Sequence, residues 1–230
     1  MVKLVIFDMD DTLYDEVDYC RSGFNAAARY LSKKSHLPDS VSVQAIADEL
    51  WHQFTAGNTT RTFNAALDKF DLPYDMDLIK RLITAYREHK PRINLPYDSK
   101  MTLDTLSQQY DLALLTDGFL PAQRLKVKAL DIEKYFKCIV FTEEMGREYW
   151  KPHPAGFEKI LKKLAVEPCN AVYFADNVAK DFIAPNKLGM SSIRLIRPNG
   201  VHHGEPASPE AAPDHTITDI KDLPGLLEKL

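Results

Sequence analysis

The fold is decided by residues 3–12, which read Lys3-Leu4-Val5-Ile6-Phe7-Asp8-Met9-Asp10-Asp11-Thr12. The apolar run before the acids predicts a strand that is buried on both faces, as strands of parallel sheets are. The acids then lie at the carboxyl end of that strand, where α/β proteins place their active sites. Asp is also common in turns and helix caps, but three carboxylates within four residues repel one another unless a cation neutralises them. We therefore favour a functional site over an acidic turn.

Beyond this stretch, strand and helix patterns alternate along the chain. Apolar runs predict further strands at residues 112–115, 138–141, 171–174 and 192–196, and a short one at 214–217. Apolar residues at helical spacing predict helices at residues 121–130, 154–165, 180–188 and 222–230. The alternation predicts an α/β fold, namely a Rossmann-like parallel sheet core with helices on both faces.

Residues 15–96 interrupt the alternation, because their periodicity is helical throughout. Amphipathic stripes predict helices at residues 19–31, 43–54, 62–70 and 77–89. Pro91 and Pro96 then precede the return to the alternating pattern. We therefore expect a helical domain at residues 15–96, inserted into a catalytic core that residues 1–14 and 97–230 form together.

The composition argues against several classes of function. The chain has 230 residues, of which 45% are hydrophobic and 27% are charged, and its formal net charge is −4. A nucleic-acid-binding protein usually has a basic balance, and no apolar run approaches the roughly 18 residues of a membrane span. The first residues lack the pattern of a signal peptide. We expect a cytoplasmic monomer or homodimer with neither a nucleic-acid partner nor a membrane partner.

Cysteine and histidine do not indicate a metal site. Cys20, Cys138 and Cys169 are too few and too widely spaced to predict a disulfide framework or a zinc site. His202 and His203 lie in a stretch rich in Gly and Pro, and we interpret them as part of a loop.

Polar side chains follow other predicted strands as well. Thr116 and Asp117 end one strand, and Lys151 lies in the loop after the next. Asp176 ends a third strand, and Asp181 follows five positions later. Because parallel strands end at one edge of the sheet, we expect these residues to lie near the first acids. Each type serves phosphoryl transfer, since a carboxylate can attack phosphorus or hold Mg²⁺, and a hydroxyl or a lysine can hold phosphate oxygens.

Four motifs in this order resemble those of the haloacid-dehalogenase superfamily of hydrolases. They are DxDxT at residues 8–12, a strand ending in Thr at residues 114–118, Lys151-Pro152, and the acidic pair Asp176 and Asp181. Together they span nearly the whole chain. Two positions depart from the commonest pattern, with Ala175 in place of Gly and Asp117 in place of Asn. If the Asp117 side chain faced the phosphate, its negative charge would weaken phosphate binding.

The resemblance implies a role for each acid. Asp8 would be the nucleophile that forms an aspartyl-phosphate, and Asp10 would protonate the leaving group and later activate water. Mg²⁺ would be held by Asp8, the backbone carbonyl of Asp10 and Asp176. Asp181 would orient Lys151 or support the metal.

The resemblance also implies a phosphate site and a cap. Thr116, the backbone N–H of Asp117 and Lys151 would bind the transferred phosphoryl group. The helical insert corresponds to the family's helical cap of the first-insertion type, which closes over the site and chooses the substrate.

Asp10 distinguishes phosphatase-type members of the superfamily from dehalogenases. Dehalogenases lack this second acid, because their halide leaving group needs no proton. We therefore expect a Mg²⁺-dependent phosphatase that acts on a small phosphomonoester, either a sugar or polyol phosphate or a nucleoside monophosphate. Tyr14, Asp15 and Arg61 are the candidate substrate contacts. Two alternatives stay open, namely a phosphomutase of the β-phosphoglucomutase type and a non-catalytic module that binds a phosphorylated ligand.

Overall fold

A parallel sheet forms the centre of the α/β part of the chain. The computed structural model describes residues 1–34, 37–202 and 204–230, so His203 lies outside the described residues. Within these ranges six strands pair in the order β3-β2-β1-β4-β5-β6, and every neighbouring pair is parallel. The strands are β1 Leu4–Phe7, β2 Asp111–Thr116, β3 Cys138–Phe141, β4 Ala171–Ala175, β5 Ser191–Leu195 and β6 His215–Ile217. The predicted α/β fold with a parallel sheet is confirmed.

Helices connect the strands and form the inserted segment. They are α1 Glu16–Lys34, α2 Val43–Thr55, α3 Thr62–Lys69, α4 Met76–Arg87, α5 Tyr97–Leu106, α6 Leu120–Leu130, α7 Ala155–Leu164, α8 Ile183–Leu188 and α9 Leu223–Leu227. The sequence did not predict α5, because that helix buries Ser99 and Thr102 beside its two leucines and so lacks an apolar stripe. None of the described helices is both long enough and apolar enough to cross a bilayer.

Both faces of the sheet are covered, as the apolar runs predicted. All four residues of β1 are fully buried. Leu4 and Ile6 pack on one face in a cluster with Phe157 of α7. Phe7 points to the opposite face, because side chains alternate along a strand, and its ring packs against Phe174, 5.6 Å away between centroids.

The strand order positions the site. The chain runs from β1 to β2 on one side and reaches β4 on the other, so β1 lies between two strands that come later in sequence. Phe7 pairs in register with Leu114 of β2 and with Phe174 of β4. The residues that follow these three strands therefore converge at one edge of the sheet, where a reversal of strand order opens a crevice.

The chain divides into two compact units. One, the α/β unit, consists of residues 1–17 and 94–230, and the other, the helical unit, of residues 18–93. Apolar residues of α1 to α4 pack together inside the helical unit, among them Phe24, Leu31, Leu50 and Leu82. Two of its helices begin at side-chain caps: Ser42 accepts a hydrogen bond from the backbone N–H of Ala45, and Asp75 accepts one from Leu78. The predicted helical insertion is confirmed.

Candidate active site

The acidic motif after β1 forms one tight turn. The backbone N–H of Leu13 donates to the carbonyl of Met9 at 2.9 Å. Asp11 adopts a positive φ of 52°, a region that Asp tolerates better than most residues. Its carboxylate accepts hydrogen bonds from the backbone N–H groups of Glu16, at 2.8 Å, and Val201, at 2.6 Å. The third acid of the motif therefore holds the turn and the loop near residue 200.

The other two acids of the motif line a cavity of about 140 Å³ in the α/β unit. Its walls are formed by Asp8, Asp10, Glu16, Asp117, Trp150, Asp176, Asn177, Lys180 and His202. The structure thus brings together acids that the sequence placed after β1, β2 and β4. Glu16, Asn177, Lys180 and His202 were not predicted for this site.

Asp8 contacts a buried lysine. The Nζ atom of Lys151 lies 2.6 Å from Oδ1 of Asp8 and 2.7 Å from Oδ1 of Asp181, and it donates to the Tyr173 hydroxyl at 2.9 Å. Burial raises the pKa of Asp8 to about 7, although Lys151 acts in the opposite direction. Burial also disfavours the charge of Lys151, but Asp181 and Asp8 raise the pKa of this lysine well above its usual value.

Three carboxylates of the cavity region fit a divalent cation. Asp8, Asp176 and Asp181 are all buried, and each offers an oxygen within 4.8 Å of the others. Burial, together with the charges of Asp181 and Asp8, raises the pKa of Asp176 to about 9. A cation here would remove this repulsion, and oxygen donors are the ligands that Mg²⁺ prefers. The side-chain cluster includes Asp181, which the sequence assigned a supporting role, whereas the predicted ligation by the Asp10 carbonyl stays a prediction.

Asp10 is held by three hydrogen-bond donors. Its carboxylate accepts from the Tyr14 hydroxyl at 2.5 Å, from Nζ of Lys126 at 2.8 Å and from Nε2 of Gln123 at 2.9 Å. Burial favours the neutral acid, but the charge of Lys126 and these hydrogen bonds outweigh it and lower the pKa of Asp10. Tyr14, a candidate substrate contact, is 1% exposed, and its hydroxyl is engaged with Asp10.

Gln123 also connects Asp10 to the predicted phosphate site. Its Nε2 atom donates to the Thr116 hydroxyl at 2.6 Å. Gln123 and Lys126 are both buried and lie three residues apart on α6, which places them on one face of that helix. Sequence reasoning missed both residues. The available signal was two polar side chains on the helix face that also carries Val127 and Leu130.

Asp117 faces the cavity, but its charge is paired. Its Oδ1 atom accepts from the Thr142 hydroxyl at 2.7 Å and from the backbone N–H of Lys151 at 3.3 Å. Its Oδ2 atom lies 3.4 Å from Nζ of Lys180. This position differs from the family's common Asn, and Lys180 offsets the negative charge that the difference introduces.

The remaining candidate substrate contacts, Asp15 and Arg61, belong to different units of the chain. Asp15 forms an ion pair with Arg197 at 3.1 Å and accepts a hydrogen bond from Asn199 at 3.3 Å. Arg61 belongs to the helical unit, where it is exposed at the start of α3. Trp150 lines the cavity, and its indole N–H donates to Glu143 at 3.0 Å. Substrate contact by Tyr14, Asp15 and Arg61 stays a prediction.

Comparisons with known proteins agree with this geometry. A family model described as haloacid dehalogenase-like hydrolase matches residues 5–195. The glyceraldehyde 3-phosphate phosphatase of Methanopyrus kandleri is 30% identical over 234 residues, which cover 100% of this chain and 99% of that protein. The N-acylneuraminate-9-phosphatase of Rattus norvegicus is 26% identical and is matched over 100% of this chain and 95% of its own length.

A solved structure shares the fold. The magnesium-bound crystal structure of the hydrolase YfnB from Bacillus subtilis superposes with a TM-score of 0.67 at 21% identity, over 98% of both chains. The chain therefore belongs to the haloacid dehalogenase-like hydrolase family, and the two relatives named above, which match it along nearly their whole length, are phosphatases.

Proposed function

We propose that the chain is a Mg²⁺-dependent phosphatase that hydrolyses a small phosphorylated metabolite through an aspartyl-phosphate on Asp8. One observation carries the proposal, namely the buried cluster in which Asp8 lies between a lysine and two further carboxylates. The names of the two relatives specify glyceraldehyde 3-phosphate and an N-acylneuraminate 9-phosphate. These names favour a phosphorylated sugar or polyol over a nucleoside monophosphate for this chain.

In the first step, a carboxylate oxygen of Asp8 attacks the phosphorus of the substrate. A new bond forms between this oxygen and phosphorus, and the bond between phosphorus and the ester oxygen breaks. The ester oxygen leaves with the electron pair and takes a proton from the carboxyl group of Asp10. The products are the free alcohol, an aspartyl-phosphate and ionised Asp10.

In the second step, water attacks the phosphorus of the aspartyl-phosphate. Asp10, now a carboxylate, takes a proton from this water, and the bond between phosphorus and Asp8 breaks. Inorganic phosphate leaves, and both acids return to their starting states. The lowered pKa of Asp10 suits this second role as a base and opposes the first role as an acid, while Tyr14, Gln123 and Lys126 hold its carboxylate in position.

The chain's own carboxylates would hold the metal. Asp8, Asp176 and Asp181 supply oxygen atoms close enough together for one ion, and the backbone carbonyl of Asp10 is the further predicted ligand. Bound Mg²⁺ supplies positive charge that offsets the negative charge of the carboxylates and of a phosphoryl group. Thr116, the backbone N–H of Asp117 and Lys151 are the proposed donors to the phosphoryl oxygens.

The test is release of inorganic phosphate from a panel of phosphomonoesters that includes sugar phosphates, polyol phosphates, nucleoside monophosphates and p-nitrophenyl phosphate. We expect turnover with Mg²⁺, none after EDTA treatment, and recovery when Mg²⁺ is added back. Absence of phosphate release from every substrate by folded protein would contradict the proposal and favour the binding module. Isomerisation of a sugar phosphate without net phosphate release would instead favour the phosphomutase.

A further inference from the structure

Lys180 is a cation of the site that neither the motifs nor the proposed chemistry uses. It lies in a turn after β4, where the backbone N–H groups of Lys180 and Asp181 both donate to the carbonyl of Asn177, at 3.2 and 2.9 Å. This turn explains why α8 begins at Ile183 and not at residue 180 as predicted. Lys180 forms part of the cavity wall together with Asp8.

Lys151, the lysine that the family motif assigns to phosphate, is buried against three acceptors. A lysine ammonium group has three hydrogens to donate. The Nζ atom of Lys151 lies within 2.9 Å of three acceptors, which belong to Asp8, Asp181 and Tyr173. Its side chain is 0% exposed. Lys151 therefore lies in ion pairs with Asp8 and Asp181.

Lys180 differs from Lys151 in both respects. Its side chain is 33% exposed, and its one acceptor among the described residues is Oδ2 of Asp117, at 3.4 Å. Lys180 thus has donor hydrogens available to the cavity that it lines.

Asp117 is well placed to fix Lys180. The Asp117 carboxylate is buried, and its other oxygen is held by Thr142 and by the Lys151 backbone. It therefore presents Oδ2 to Lys180 in a fixed position. Asn at this position, the common residue of the family, would offer Lys180 no negative charge.

We propose that Lys180 binds the phosphoryl group of the substrate and that Asp117 is the residue that positions Lys180. The inference rests on the proposed function, because it assigns a further residue to the same site. It also gives the departure at position 117 a physical role, since the pair places a second cation in the wall of the cavity that Asp8 lines.

The test compares Lys180→Met with the matched variant Lys187→Met, which changes an exposed lysine on α8. The readouts are the Kd of inorganic phosphate, measured by calorimetry with Mg²⁺ present, and the KM and kcat for p-nitrophenyl phosphate. We expect Lys180→Met to raise Kd and KM about 10- to 100-fold, as loss of a charge-assisted hydrogen bond would, with a smaller change in kcat. Lys180→Arg should restore part of the affinity, and Lys187→Met should match the wild type.

A double-variant cycle tests the role of Asp117. Asp117→Asn should weaken phosphate binding in the wild-type background but cause no further loss in the Lys180→Met background, because the group it positions is gone. Unchanged Kd and KM in Lys180→Met, with the fold confirmed by circular dichroism, would overturn the inference. So would an Asp117→Asn effect of equal size in both backgrounds. Phosphate binding is measured without turnover, so failure here is distinct from failure of the proposed hydrolysis, which the EDTA and Mg²⁺ experiment reports.

Discussion

The α/β unit and the helical unit bury different kinds of side chain. In the α/β unit the buried residues include Asp8, Asp11, Lys126, Lys151, Asp176 and Asp181. In the described part of the helical unit, Thr62 is the one polar residue counted as buried, among a core of apolar side chains. Burying charge is unfavourable unless partners compensate, and even a well-paired buried ion pair adds little stability. We therefore propose that the α/β unit retains most of its buried charges for chemistry, whereas the helical unit is stabilised by apolar packing.

Asp8→Asn, a change at a buried charge of the α/β unit, should have the largest effect, namely on turnover. An amide is a poor nucleophile and cannot form the acyl-phosphate, so we expect turnover to fall by roughly four orders of magnitude or more. The measurement is kcat for the best substrate of the panel, on protein whose fold is confirmed by circular dichroism. Asp68→Asn, the same change at an exposed carboxylate of the helical unit, should leave kcat unchanged. Substantial activity of Asp8→Asn would remove Asp8 from the mechanism.

Asp10→Asn should have the next largest effect. Loss of a general acid and base typically lowers the rate about 10²- to 10⁴-fold. The loss should be smaller for p-nitrophenyl phosphate, whose leaving group needs little protonation, than for an alkyl phosphate. The comparison of kcat/KM for the two substrates checks this. An equal loss for both would show that Asp10 does not donate the proton.

Leu50→Ala tests how far apolar packing stabilises the helical unit. Leu50 is 3% exposed in the apolar cluster of the helical unit, and truncation of a buried leucine lowers the free energy of unfolding by about 2–5 kcal/mol. Amide hydrogen exchange should show the loss in residues 18–93 and leave the protection of β1 and β4 unchanged. Met76→Ala, at a side chain that is 67% exposed, is the matched control and should change little. Equal loss of protection in both units would mean that they unfold together.

Gln123→Leu should have the smallest effect of the four. The change removes the amide that donates to both Asp10 and Thr116, and the loss of such positioning should lower kcat about tenfold. As with Asp10→Asn, the loss should be smaller for p-nitrophenyl phosphate than for an alkyl phosphate, which a purely structural role would not produce. Gln108→Leu, at an exposed glutamine, serves as the control. A loss of thermal stability with no change in this substrate dependence would assign Gln123 to structure alone.

The sequence predicted most of the helices and strands well. The helix predicted at residues 43–54 is α2 at Val43–Thr55, and the strand predicted at residues 138–141 is β3 at Cys138–Phe141. Both carry a regular apolar pattern that reflects which faces are buried. The edge of the sheet at which Asp8, Thr116 and Asp176 meet also followed from the alternation of strands and helices.

The residues that support the site were not predictable in the same way. Gln123 and Lys126 contact Asp10 from more than 100 positions along the chain, and a buried polar residue on a helix leaves no periodic signal of its partner. Lys180 lies between two predicted acids and resembles an ordinary solvated lysine in the sequence. Only the pairing with Asp117 across two strand ends distinguishes it. The sequence therefore indicates where charges converge, and the structure indicates which of them remain available.

The position of β1 in the sheet has a consequence for how the chain is made. β1 leaves the ribosome before the other described strands, yet its partners begin at Asp111 and Ala171. The whole helical unit emerges in between, and its contacts join residues close in sequence, which favours early folding. We expect the helical unit of the nascent chain to fold while β1 is still unpaired. β1 can pair only after β2 and β4 have been synthesised. During that interval we expect β1, the strand that leads to Asp8, to expose an unpaired edge that can pair with other chains.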